Sequence, residues 1–238
     1  MNLSLIRYNI SYYVKTLKFV APLLAYIVFL FMNYQIPSPI WSNYYITAVA
    51  IFILSNWIGN SFINSEDKTQ QYITRLHVKN ETMYHVSKVI SVLLFMLPFY
   101  VLLIFYPVMI GFFVRGLTVV EVLVSFIIHF LFSLMGVAVG IFFNFDLHRH
   151  RNAVLPLQAL IILITVMPLS LMFENNAAVR FAAYLLPPVN FLNERLHYLH
   201  SELFVPDLNF MLFILYSVGY SLLLIVAYIF IVRKKGRQ

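Results

Sequence analysis

The chain has 238 residues, of which 62% are hydrophobic, 17% aromatic and only 11% charged, with a formal net charge of +7. A water-soluble domain carries about 25% charged residues, so there are too few polar side chains here to cover a solvated surface, and the bilayer must be the solvent for most of the chain. The same numbers exclude a disordered chain, long apolar runs exclude the alternating strands of a β-barrel, and the lack of cysteine excludes disulfides, thiolate metal sites and a cysteine nucleophile.

Residues 1–17 predict an amphipathic helix. Leu3, Ile6, Ile10, Tyr13 and Leu17 recur at steps of three and four, with Ser4, Ser11 and Lys15 on the opposite side. Such a helix lies in the membrane interface and turns its basic residues toward anionic lipid. Six segments then carry the roughly 20 apolar residues that a transmembrane helix needs: Lys18–Tyr34, Tyr44–Ile63, Val89–Val114, Val119–Phe143, Ala153–Phe173 and Asn209–Val232. The first is the shortest, with Pro22 near its start; Pro98, Pro107 and Pro168 predict kinks in later spans. Six crossings leave both termini on one side. That side holds thirteen of the sixteen basic residues, and only Arg115, Arg180 and Arg195 fall opposite. Cytoplasmic loops collect Lys and Arg, so both termini are expected inside.

Within the spans few residues carry chemistry. Asn56, Asn60 and Asn64 repeat at every fourth position of the second span. Three amides facing lipid would be costly, so this stripe should meet protein or a wet cavity. His129 is the ionisable group deepest in a span, where it either bonds a neighbouring helix or acts in function. Gly136 and Gly140 form a G-x-x-x-G that permits close helix packing.

Two stretches outside the spans are expected to be ordered. Residues 64–88 open a helix at Ser65, Glu66 and Asp67, acids at the positive end of the helix dipole, and continue through an apolar stripe of Tyr72, Ile73 and Leu76. A helix this short is not stable alone in water and needs a surface to dock against, either headgroups or another protein. Residues 181–192, FAAYLLPPVNFL, are too short to cross and too apolar for a loop; Pro187 and Pro188 break them into a re-entrant or interfacial piece. A second short helix, capped by Asn190, follows.

Enzyme motifs are scarce. The chain has no G-x-x-x-x-G-K-[ST] to cradle ATP phosphates, no G-x-S-x-G elbow and no H-E-x-x-H. Glu194, His197 and His200 have a ligand-like spacing but supply too few groups for a metal centre. No catalytic residue, metal site or nucleic-acid partner is expected.

The layout resembles the six-span permease subunits of ABC-2-type exporters over nearly the whole chain. The residues that carry the likeness are the interface helix, a loop helix opened by Glu66, the turn His77-Val78-Lys79-Asn80, Lys88 leading into the third span, and Leu186-Pro187-Pro188 before the last. Asp67-Lys68 departs from the more usual Arg-Glu pattern, and His77 stands where proline is often found. The resemblance implies an all-α integral membrane protein, a single permease domain over 1–238. It would have an interface helix (1–17), a cytoplasmic coupling loop (64–88) and an extracellular re-entrant hairpin (178–205). Two copies of a separate ATPase, which hold the ATP and Mg, would dock on the coupling residues Glu66, Asp67, Thr69, Tyr72, Ile73 and Leu76. Asn56, Asn60, Asn64 and Gln158 would line the path between two permeases, a homodimer rather than a heterodimer. The setting implied is a bacterial cytoplasmic membrane, and the cargo an amphipathic or hydrophobic one such as a toxin or antimicrobial peptide. Two other readings stay open: a six-span substrate-capturing module of an importer, and a membrane-embedded enzyme using His129 or the Glu194/His197 group.

Overall fold

A computed structural model describes residues 3–78, 80–113, 115–143, 151–167, 186–189 and 207–235. These residues form eight helices and no strand: α1 (Leu3–Lys15), α2 (Val20–Asn33), α3 (Ile40–Ile63), α4 (Lys68–Val78), α5 (Glu81–Met109), α6 (Val119–Phe142), α7 (Arg151–Val166) and α8 (Leu208–Lys235). Four of them, α3, α5, α6 and α8, are long and apolar enough to cross a membrane, and a fifth crossing results if the bent pair α1–α2 is one span. This is the build of a multi-pass, all-helical membrane protein.

The centre of the bundle is α6, packed against α3, α5 and α8. Its contact with α3 is the most extensive, and the sequence explains why. A Cβ on Gly136 would fall onto the Ser55 hydroxyl and the Phe52 carbonyl, and one on Gly140 onto the Asn56 carbonyl. From the other side, a Cβ on Gly59 would lie 3.3 Å from the Val137 backbone. Three glycines therefore let two backbones touch, the small-residue packing that membrane helices use when lipid offers no hydrophobic drive. Around this seam, one apolar cluster gathers Trp41, Tyr44, Phe52, Ile128, Phe132 and Phe213, and a second gathers Tyr13, Ile58, Phe62, Met96, Tyr100 and Tyr228.

Local sequence sets the helix ends. Thr118 and Glu121 cap α6 reciprocally. Glu121 also takes both Arg115 guanidinium nitrogens, at 2.9 and 2.5 Å, and this bonding holds Arg115 above its usual pKa. Asn80 caps α5 by accepting from the Thr82 and Met83 amides. Helix α5 runs unbroken through Pro98 and Pro107. Between α1 and α2 the chain turns by 79° at Leu17, which adopts a left-handed φ of 56° and so ends the first helix.

The expected fifth span is seen as α7 up to Val166, and Pro168 and the rest of that span lie outside the described residues. So do Glu194, His197, His200 and most of 178–205; of that segment, Val189 is described and is buried in the cluster with Trp41 and Phe210.

Candidate functional site: an exposed helix clamped to the bundle

Helix α4 bridges the end of α3 and the start of α5. Asp67 begins it, accepting from the Gln70 amide at 2.8 Å. Its inward face carries Thr74, which is buried, flanked by the half-buried Gln70, Arg75 and Val78. Its outward face carries Thr69, Tyr72, Ile73 and Leu76, with Tyr72 65% and Leu76 61% exposed. The amphipathic pattern is thus inverted: the apolar residues point away from the protein's own core. A short helix folded this way holds its apolar stripe ready for something outside the bundle.

Two ion pairs fasten α4 at both ends. Glu66, just before the helix, bonds Lys88 of α5 at 2.6 Å, and both side chains are nearly sealed from solvent, at 2% and 4% exposure. The Tyr84 hydroxyl donates to the same Glu66 oxygen at 2.5 Å. The Tyr84 ring is covered by the Lys88 ammonium at 4.7 Å and the Arg75 guanidinium at 5.4 Å. At the far end of α4, Arg75 bonds Glu81 at 3.2 Å. Beside Tyr84, His85 bonds the Tyr228 hydroxyl at 3.1 Å and so ties the start of α5 to α8. Hence α4, α5 and α8 are linked side chain to side chain.

Helix α1 braces the same end. Asn9 donates to Ser87 of α5 at 3.2 Å, Tyr13 donates to Ser61 of α3 at 3.2 Å, and Gln70 of α4 donates to the Tyr8 hydroxyl at 2.8 Å. Burial pushes the Tyr8 phenol up, so it stays protonated. Between α1, α4 and the first turns of α5 lies an open groove of about 770 Å³, walled by Leu5, Ile73, Val78, Met83 and Val86 with Gln70 and His77 among its polar groups.

The asparagine stripe sits deeper. Asn56 and Asn60 are buried, and both meet Gln158 of α7. Asn60 Nδ2 donates to Gln158 Oε1 at 2.8 Å and to the Phe143 carbonyl at 3.1 Å, while Gln158 Nε2 donates to Asn56 Oδ1. Asn64 extends the chain by donating to Asn60 at 2.9 Å. The stripe and Gln158 come together as one amide relay that joins α3 to α7. Helix α7 meets the bundle mainly through the narrow line of Val154, Gln158 and Thr165, leaving Leu155, Leu160 and Leu163 exposed.

His129 is fully buried, with both ring nitrogens engaged. Nδ1 lies 2.7 Å from the Ser125 carbonyl and Nε2 lies 3.0 Å from the Thr47 hydroxyl. Because a carbonyl only accepts, Nδ1 donates to it, and in the neutral ring Nε2 is then the acceptor that faces the Thr47 hydroxyl. Among the described residues no group of three acidic or histidine side chains could hold a metal ion.

The resemblance groups Glu66 with Asp67, Thr69, Tyr72, Ile73 and Leu76 as coupling residues; in the structure those five are exposed and Glu66 is buried inside the clamp. Lys88, Tyr84 and Arg75 complete that clamp. Their one sequence signal is a lysine and an acid close to the start of a span, where a buried charge needs a partner. Comparison with protein families, curated proteins and solved structures gave no match.

Proposed function

We propose that this chain is the transmembrane permease subunit of an ATP-driven exporter, worked by a separate ATPase that docks on α4. The observation that carries the reading is the outward-facing Tyr72, Ile73 and Leu76 on a helix anchored to the bundle by Glu66–Lys88 and Arg75–Glu81. An apolar docking stripe alone fits many partners. A stripe whose helix is rigidly joined to two spanning helices fits a partner that delivers force.

In this reading α2, α3, α5, α6, α7 with the residues that follow it, and α8 are six spans. Both termini face the cytoplasm of a bacterial cell, and residues 178–205 form the outer hairpin. Two permeases, copies of this chain, pair with two ATPases that hold ATP and Mg. The amide relay from Asn56 and Asn60 to Gln158 joins the second and fifth spans, the pair that the resemblance sets along the path. Parting these helices would uncover amides suited to an amphipathic cargo such as a toxin or antimicrobial peptide.

The test is transport from cells or vesicles with Tyr72→Asp/Leu76→Asp. Export and co-purification of an ATP-hydrolysing chain should both be lost while the permease still folds and inserts. Unchanged export by that variant would remove the proposal.

A further inference from the structure

Helix α1 has three faces, and one of them carries two cations, Arg7 and Lys15, that pair with no acid among the described residues. Ile6, Asn9 and Tyr13 face the bundle and are buried. Leu3 and Val14, at 78% and 40% exposure, form an exposed apolar face with the half-buried Ile10 beside them. On a helical projection this face lies beside the bundle-facing side, as expected for an amphipathic helix lying in the plane of a membrane interface. The remaining face carries a shallow hollow of about 340 Å³ lined by Ser4, Arg7, Tyr8, Ser11, Tyr12 and Lys15. Its lining supplies two cations, four hydroxyls and no carboxylate.

The charges in this hollow are available. The three ion pairs among the described residues join Arg75 to Glu81, Lys88 to Glu66 and Arg115 to Glu121, and involve neither Arg7 nor Lys15. At 100° per residue, Arg7 falls between the apolar Leu3/Val14 edge and the polar Ser4/Ser11 edge. With Leu3 and Val14 turned into the acyl region, that angular position would set Arg7 at the depth of the phosphates. Tyr8 and Tyr12, with ring centroids 5.9 Å apart, are amphipathic side chains of the kind that settle at headgroup depth.

We infer that this face of α1 binds the headgroup of an anionic glycerophospholipid, with Arg7 and Lys15 neutralising its phosphate charge and Ser11 within its reach as a hydroxyl donor. The inference does not depend on the exporter reading. It carries a consequence for α4, because Tyr8 is shared: its hydroxyl accepts from Gln70. A headgroup seated against Tyr8 therefore touches the residue that joins the interface helix to the docking helix.

The experiment extracts the full chain from vesicles of equal phosphatidylglycerol and phosphatidylcholine and counts the lipids retained by native mass spectrometry. Phosphatidylglycerol should be enriched on the wild-type chain. Arg7→Gln/Lys15→Gln should weaken its retention by roughly fivefold for each charge removed, about thirtyfold together. Arg233→Gln/Lys234→Gln, which removes the same charge elsewhere, should change it little. Ser11→Glu, which keeps both cations and adds a repelling carboxylate, should lower retention as well and serves if the double variant does not fold. Equal losses from the two double variants, or no loss from Arg7→Gln/Lys15→Gln and Ser11→Glu, would overturn the inference. Displacement of the lipid by millimolar inorganic phosphate would also overturn it and assign the hollow to a free anion.

Discussion

Glu66 and Lys88 form an ion pair of 2.6 Å that is almost closed to solvent, although 22 positions separate them and one precedes α4 while the other lies in the second turn of α5. Removing one partner strands the other as a buried charge, which costs about 3–5 kcal/mol. Lys88→Met should therefore lower the thermal unfolding midpoint in detergent sharply. Glu66→Gln/Lys88→Met should lose less than the two single changes summed, because no uncompensated charge remains. A strictly additive double-mutant cycle would show that the pair does not hold the helix.

The α3–α6 seam makes a contrasting prediction about glycine. Gly140→Ala would press a methyl group into the Asn56 carbonyl, with the Asn60 amide nitrogen 3.1 Å away, and neither is a movable side chain. Overpacking of this kind costs about 1–3 kcal/mol. Gly219 in α8 has open space where its Cβ would be, so Gly219→Ala should be neutral or gain up to about 1 kcal/mol. Unfolding midpoints of the two variants, measured side by side, check this ordering.

The relay between Asn60 and Gln158 can be locked because the chain has no native cysteine. Asn60→Cys/Gln158→Cys, bridged by a short bifunctional thiol reagent, should cross-link efficiently in the resting protein. If α3 and α7 must part for cargo to pass, the bridged protein should stop transporting and recover when reduced. Undiminished transport in the bridged state would show that these helices stay together through the cycle.

His129 is satisfied at both ring nitrogens, and Thr47 has a second acceptor in the Asn43 carbonyl at 3.1 Å. His129→Leu should thus cost no more than about 1–2 kcal/mol, the range of hydrogen bonds between membrane helices. Export should persist. Loss of export by a variant that unfolds at the wild-type temperature would give the ring a part in the transport step.

The helices were legible where hydropathy and periodicity agree. The helix expected over 1–17 is seen as Leu3–Lys15, and that over 119–143 as Val119–Phe142. The starts of two others were not. Helix α3 begins at Ile40 rather than Tyr44, because Ser42 and Asn43 interrupt the apolar run even though Pro39 already sets the turn. Helix α5 begins at Glu81 rather than Val89, because its first two turns are polar and carry the clamp, a feature an apolar window discards. The asparagine stripe was visible as a four-residue repeat. Gln158 joins it in the sequence only through the resemblance; that the two hydrogen-bond directly is not legible, since nothing local joins two positions about 100 residues apart. Glu66 is legible as a helix-opening acid, but its burial depends on Lys88 and Tyr84, which only the folded chain brings to it.

What touches the outer face of α4 decides whether a second polypeptide works this helix. Leu76→Cys introduces a unique thiol at an exposed position, and a short photoactivatable reagent attached there labels whatever lies against it in intact membranes. The expected result is one adduct with a nucleotide-binding chain, whose yield changes when ATP is added or withheld. An adduct with lipid alone, indifferent to ATP, would contradict the claim that a second polypeptide works this helix.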